Sequence, residues 1–350
     1  MRRSSIRTLT VLGACLAAAF AVEQAAAAQP ALTDVVFTEY SPLSANSELV
    51  RRLFSPLAAA HLAKLLADSG KVLSERPIDL AAEHFGLYVP TRRPPNGYAV
   101  IAFVPPWNDA RLPPGWAAVL DQYGVIFVSA ARSGNDQSVL GRRVPLALLA
   151  VWNVQQRFPV DPERVYVAGF SGGSRVAQRL ALGYPDLFRG AILNAGSNPL
   201  GGSEMPLPSK GLFSRFQSST RIVYVTGERD FPHLQEDTAS TTSMRRWCAF
   251  DVDGQVTALT GHAAADAGAL SRALDALLAS EQPDPGRLAA CRLALERELA
   301  TKIHQVESLV TNGRRDAART ALHDIDQRFG GLGAPRTLEL AHELEPPSGR

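Results

Sequence analysis

Cysteine is scarce in this chain: three residues in 350, at positions 15, 248 and 291, with no Cys-x-x-Cys pair. No paired-histidine metal motif occurs either, so a structural zinc site is not expected. An excess of one charge is also missing. Lys and Arg number 36 against 34 Asp and Glu, which leaves no electrostatic footprint for nucleic acid or an anionic membrane surface. The long apolar run of a membrane span is absent too. The strongest candidate, "LTVLGACLAAAFAV", falls short of the roughly 20 residues a span needs.

That run has a different meaning in its setting. Basic "MRRSSIR" precedes it and small-residue "EQAAAAQ" comes after it, the three-part pattern of a secretory signal peptide over residues 1–28. Cleavage is expected after Ala28. A lipoprotein site at Cys15 fits less well, because the apolar stretch continues beyond it. Removal of this segment leaves 33 residues of each sign and two cysteines, Cys248 and Cys291. An exported location allows these two to pair in a disulfide, the alternative being two buried thiols.

The remainder has ordinary globular composition, 46% hydrophobic and 20% charged, and is long enough for a large core. Residues 29–83 read as an irregular lead with two short helices. Asn46 or Ser47 is the expected N-cap of the first, and Ser55-Pro56 opens the second. From residue 84 to 280, apolar runs such as "YAVIAFV" (98–104), "GVIFVSA" (124–130) and "RVYVAGF" (164–170) alternate with helical patterns. That alternation predicts an α/β fold with a doubly wound, mostly parallel sheet. Asp253-Gly254 within "FDVDGQVTAL" adds a hairpin signal near residue 253. In 281–350, Leu288, Cys291, Leu295, Leu299, Ile303, Val306 and Val310 make one helical stripe, and a second helix comes after "TNGR". This predicts an appended helical hairpin, serving either as packing support or as a surface for a protein partner.

The stretch "RVYVAGFSGGSRVAQRL" carries the chemistry. Its glycines, Gly169, Gly172 and Gly173, do not fit the dinucleotide pattern G-x-G-x-x-G, and no Lys is placed for a P-loop. They do fit G-x-S-x-G between strand and helix, a turn that exposes a nucleophilic serine, Ser171. A serine hydroxyl needs a base, and the base an orienting acid. In such folds these come later in the chain, the acid first and then the His. Asp230, beyond "YVTGERD", is the candidate acid, with Glu228 the alternative. Of seven histidines, His262 alone lies in a loop at the expected distance. His233 is only three residues past Asp230, and His304, His323 and His342 sit in the helical tail. Charge developing on a substrate oxygen calls for backbone N–H donors. One is expected at Gly172. The other belongs to "VPPWND", where Pro105 and Pro106 have no N–H and Trp107 is the first donor available, with Asn108 next.

At these residues the chain resembles the α/β-hydrolase superfamily. More narrowly, "DPERVYVAGFSGGSRVA" (161–177) is similar to secreted esterases of the polyhydroxyalkanoate depolymerase and feruloyl esterase-like group. The resemblance spans about 84–280 and carries the family's nucleophile, acid and base onto Ser171, Asp230 and His262. The chain departs from many members in having Pro105-Pro106 where they have His-Gly. The resemblance implies an exported serine hydrolase that cleaves a small or polymeric carboxylic ester through an acyl-enzyme. No metal or organic cofactor, nucleic acid or stable membrane insertion is implied. A serine peptidase of the same fold and an inactive binding protein are the alternatives.

Overall fold

The computed structural model describes residues 32–76, 78–279 and 283–345, so the expected signal peptide lies outside the described residues. The lead contains β1 (Thr33–Val35), α1 (Asn46–Leu53) and α2 (Pro56–Asp68). Next come β2 (Phe85–Tyr88), β3 (Tyr98–Val104), α3 (Trp116–Tyr123), β4 (Val125–Ala130) and α4 (Val144–Arg157). After them stand β5 (Val160–Phe170), α5 (Gly172–Gly183), β6 (Gly190–Asn194), α6 (Lys210–Ser219) and β7 (Arg221–Gly227). Then α7 (Phe231–Arg246), β8 (Val252–Thr257) and α8 (Ala267–Leu278) lead to α9 (Pro285–Thr311), α10 (Arg315–Phe329) and α11 (Arg336–Glu343).

All eight strands join one sheet in the order β1-β2-β4-β3-β5-β6-β7-β8. β2 runs antiparallel to both β1 and β4, and every other pairing is parallel. This is the strand order of the α/β-hydrolase fold. The run "YAVIAFV" is apolar at each position because helices cover both faces of its strand. Tyr98, Val100, Ala102 and Val104 pack in a core layer with α4 and α5, while Ala99, Ile101 and Phe103 pack with α3 and α8.

Four sequence expectations are corrected. The lead is not wholly irregular, since Thr33–Val35 extends the sheet as β1. Ala45, not Asn46 or Ser47, occupies the N-cap of α1, and Ser47 instead donates its hydroxyl to Glu75. There is no hairpin at Asp253-Gly254. Both residues sit mid-strand in β8, in parallel register with Val223 and Tyr224. The alternation that suggested a turn belongs to a half-covered edge strand, and pairing along the whole of β7 outweighs the local turn preference. Finally, the tail is a hairpin plus a third helix. α9 and α10 pair around Gly313 (φ +69°), and α11 returns against α2.

The lead and the tail pack together. Ser55 caps α2 and donates its hydroxyl to buried Asp326 of α10. Trp247 and Phe329 meet edge-on at 5.6 Å. Cys248, just after α7, is joined to Cys291 of α9 in a disulfide with Cα atoms 5.9 Å apart.

Candidate active site

Parallel strands end at one edge of a sheet, and the loops beyond their carboxyl ends gather there. Ser171 lies between β5 and α5 with φ +56°, a left-handed conformation costly for a residue with a side chain. Its N–H donates to Asn194 O at 2.8 Å, and its carbonyl accepts from Ser174 N–H at 3.0 Å. The tightness of the turn explains the glycine two residues earlier, because a β-carbon on Gly169 would lie 2.3 Å from Gly173 O.

Two loops bring the other candidate residues to this serine. Asp230 is the N-cap residue of α7, and His262 lies between β8 and α8. His262 Nε2 is 3.0 Å from Ser171 Oγ, and its Nδ1 is 2.7 Å from Asp230 Oδ2. Asp230 is 5% exposed. Burial opposes its ionisation, but hydrogen bonds from His233 and His262 outweigh that and hold its carboxyl below the usual range. An ionised carboxylate can only accept, so His262 Nδ1 carries the proton and donates. Nε2 is then a bare lone pair facing the Ser171 hydroxyl, able to take its proton. Glu228 is turned away and accepts from Leu259 N–H at 2.8 Å.

Buried Asn194, at the end of β6, straps these loops together. Its Nδ2 donates to Val225 O at 2.8 Å, and its Oδ1 accepts from Ala265 N–H at 2.7 Å. Beside it, the N–H groups of Glu228 and Arg229 donate to Thr257 O and Thr260 O.

A second imidazole also reaches the acid. His233 Nδ1 is 2.7 Å from Asp230 Oδ1, and its ring stacks on His262 with centroids 4.3 Å apart and planes 17° from parallel. Both Nδ1 atoms meet one carboxylate, so the three side chains form a hydrogen-bonded network.

On the opposite side, Gly172 opens α5, where unpaired N–H groups and the helix dipole favour negative charge. The loop carrying Trp107 is clamped to the β4–α4 loop. Pro106 O accepts from Asn135 N–H, Asn108 O from Arg132 N–H, and Asn108 Oδ1 from Gly134 N–H. The Trp107 ring lies 6.1 Å from Phe170, whose ring is 4.9 Å from that of His262, and Arg111 stacks 4.1 Å from the indole. Behind both loops, Arg143 is 3% exposed and donates to Ser133 O (3.0 Å), Pro105 O (2.9 Å) and Gly172 O (3.5 Å). Burial pushes its guanidinium down to about 10, with Asp136 partly offsetting the effect.

Two of these residues escaped sequence reasoning. A third, His233, was weighed only as the base and set aside for standing three residues past Asp230, although an Asp-x-x-His spacing at a helix start was its signal. Asn194 and Arg143 had none, because their partners lie in distant loops.

No family model matches the chain. A stretch of 98 residues is 32% identical to a poly(3-hydroxybutyrate) depolymerase of Ralstonia pickettii, covering 24% of this chain and 20% of that protein. The chain thus spans about a fifth of the length of this curated relative. Among solved structures, it is similar to a thermophilic esterase from Thermogutta terrifontis, at 16% identity and TM-score 0.42, covering 57% and 87% of the two chains. It is similar also to the acetyl xylan esterase of Aspergillus awamori, at 15% identity and TM-score 0.39, covering 52% and 89%.

Proposed function

We propose that the protein is a serine hydrolase that cleaves carboxylic esters through an acyl-enzyme. The observation that carries this reading is the unbroken line Ser171–His262–Asp230, with contacts of 3.0 and 2.7 Å, on a strained strand-to-helix turn. Ser171 Oγ attacks the ester carbonyl carbon while its proton passes to His262 Nε2. The tetrahedral oxyanion is held by the N–H groups of Gly172 and Trp107. His262 then returns the proton to the departing alkoxide, which leaves as an alcohol. A water molecule repeats the sequence on the acyl-enzyme, releasing the acid and restoring Ser171. Asp230 keeps His262 in the reactive tautomer and stabilises the imidazolium.

The oxyanion assignment is supported by the clamped Trp107 loop and by Arg143, which gathers carbonyls from both sides. The local likeness to a depolymerase, which overlaps in kind with the resemblance at 161–177, supports hydroxyalkanoate esters as substrates. The basic-apolar-small N-terminal pattern and the Cys248–Cys291 disulfide support export.

A fluorophosphonate probe tests the reading. Covalent labelling at Ser171 is expected, absent in Ser171→Ala. A folded protein that stays unlabelled would sink it. Turnover of aryl, short-acyl and oligomeric hydroxyalkanoate esters beside peptide substrates separates esterase from peptidase.

A further inference from the structure

The acyl-transfer cycle leaves His233 without a task, yet this ring occupies the second oxygen of Asp230. We propose that His233 is a positioning residue, a neutral donor that locks the Asp230 carboxylate toward His262 and draws part of its charge away from that ring. The inference rests on the triad reading of the same site.

A carboxylate bonded through one oxygen can rotate about its Cβ–Cγ bond. Bonded through both, at 2.7 Å each, it cannot do so without losing a contact. The second bond is built locally. Asp230 is the N-cap of α7 and His233 stands three residues on, with Pro232 fixing the backbone of the first turn between them. The His233 side chain is 18% exposed, so its bond is shielded from water.

The charges around His233 define its protonation state. Asp230 faces it from the helix start, and His262 stacks on it from the β8–α8 loop. Asp237 lies one turn further along α7, its carboxylate bonded to Ser197 and Thr226 and pushed up chiefly by burial. Glu236 is engaged by Arg175 of α5. Two imidazolium rings 4.3 Å apart would repel, which disfavours a charge on both at once. During turnover the proton arrives on His262 from Ser171. His233 therefore stays neutral and acts through its Nδ1–H.

A donor on Oδ1 stabilises the carboxylate and weakens its pull on the His262 proton. Without it, Asp230 holds the His262 imidazolium more strongly, and His262 loses its proton at higher pH.

The test uses His233→Phe, which keeps a ring but removes the donor, and His233→Asn, whose side-chain amide restores an N–H near the Nδ1 position. In 15N-histidine-labelled Ser171→Ala protein, two low-field Nδ1–H resonances are expected, one from each ring. His233→Phe in that background loses one, and the His262 titration moves to higher pH. In the active protein, hydrolysis of an activated aryl ester by His233→Phe should show kcat lower by about 5- to 10-fold at unchanged KM. The acid limb of kcat/KM should move to higher pH, with both effects largely reversed in His233→Asn. A single low-field resonance in the Ser171→Ala protein overturns the proposal, as does a His262 titration that His233→Phe leaves unmoved. Because the resonance readout needs no turnover, it stands even if the protein hydrolyses nothing, an outcome that would instead strike the triad reading.

Discussion

A β-carbon placed on Gly173 would lie 1.9 Å from the carbonyl oxygen of Val104. The first turn of α5 therefore rests directly on the end of β3, and the serine turn is held against the loop that leads to Trp107. Gly173→Ala must push these two elements apart. The expected result is a stability loss of about 1–3 kcal/mol and a much slower reaction with a fluorophosphonate. Urea unfolding and labelling kinetics measure the two effects, and wild-type labelling would show that the contact does not set the turn.

Asp230→Asn replaces an acceptor of two N–H donors by a side chain that offers a single carbonyl acceptor. His262 then loses its fixed tautomer. On the proposed triad reading, kcat should fall by about 10⁴-fold with little change in KM. Combining it with Ser171→Ala should add almost nothing to the loss from Ser171→Ala alone. Steady-state kinetics on an activated ester check both statements.

Arg143 joins two loops and the start of α5 through their carbonyls, so Arg143→Met leaves those oxygens without this donor. A stability loss of about 2–4 kcal/mol is expected, together with a fall in kcat larger than any change in KM. Arg143→Lys should recover only part of both, because an ammonium cannot span carbonyls set in a planar fork. Thermal unfolding beside kinetics separates a folding effect from a positional one.

The Cys248–Cys291 disulfide closes a loop of 43 residues between α7 and α9. Chain-entropy reasoning gives it about 3–4 kcal/mol of stabilisation. The double variant Cys248→Ser, Cys291→Ser should lose roughly that amount in urea unfolding while ester turnover at low temperature persists. Equal loss of turnover would mean that α9 helps to shape the site.

Acid sensitivity should centre on α1. Arg52 is 5% exposed and bonds Asp186 through both of its oxygens and Glu48 through one. Pairing with Arg51, against the cost of burial, and then with Arg52 holds Glu48 down at about 2. For Asp186, burial opposes ionisation, but the Arg52 bonds outweigh it and the carboxyl is also held low. Both folded values lie below the unfolded ones, so this stabilisation is complete above about pH 4.5 and is lost as the pH falls toward 2. Arg52→Met should cost about 2 kcal/mol at pH 7, since both carboxylates keep some contact with water, and should make stability less dependent on pH between 5 and 3. Unfolding midpoints across that range provide the measurement.

By itself the sequence determined the central strands of the sheet and the serine turn. "YAVIAFV", "RVYVAGF" and "RIVYVTG" are apolar at nearly every position because each strand is covered on two faces, a constraint written locally in residue type. Gly169 is small because the turn closes on its own backbone, which is local as well, whereas Gly173 is small because the end of β3 lies against it. The G-x-S-x-G spacing and chain order were enough to point to Ser171 and His262 and to narrow the acid to Asp230 or Glu228, and the structure brings Ser171, Asp230 and His262 within hydrogen-bond reach. The tertiary structure alone decided the rest. Glu228 and Asp230 differ in which one the β8–α8 loop leaves buried. His233 matters because its neighbour His262, 29 residues on, stacks against it. Arg143 resembles any arginine at a helix start until the carbonyls of Pro105, Ser133 and Gly172 converge on it. Thr33–Val35 and Val252–Thr257 became strands through the strands beside them. Each of these outcomes depends on distances between residues far apart in the chain, and those distances exist only once the sheet has formed.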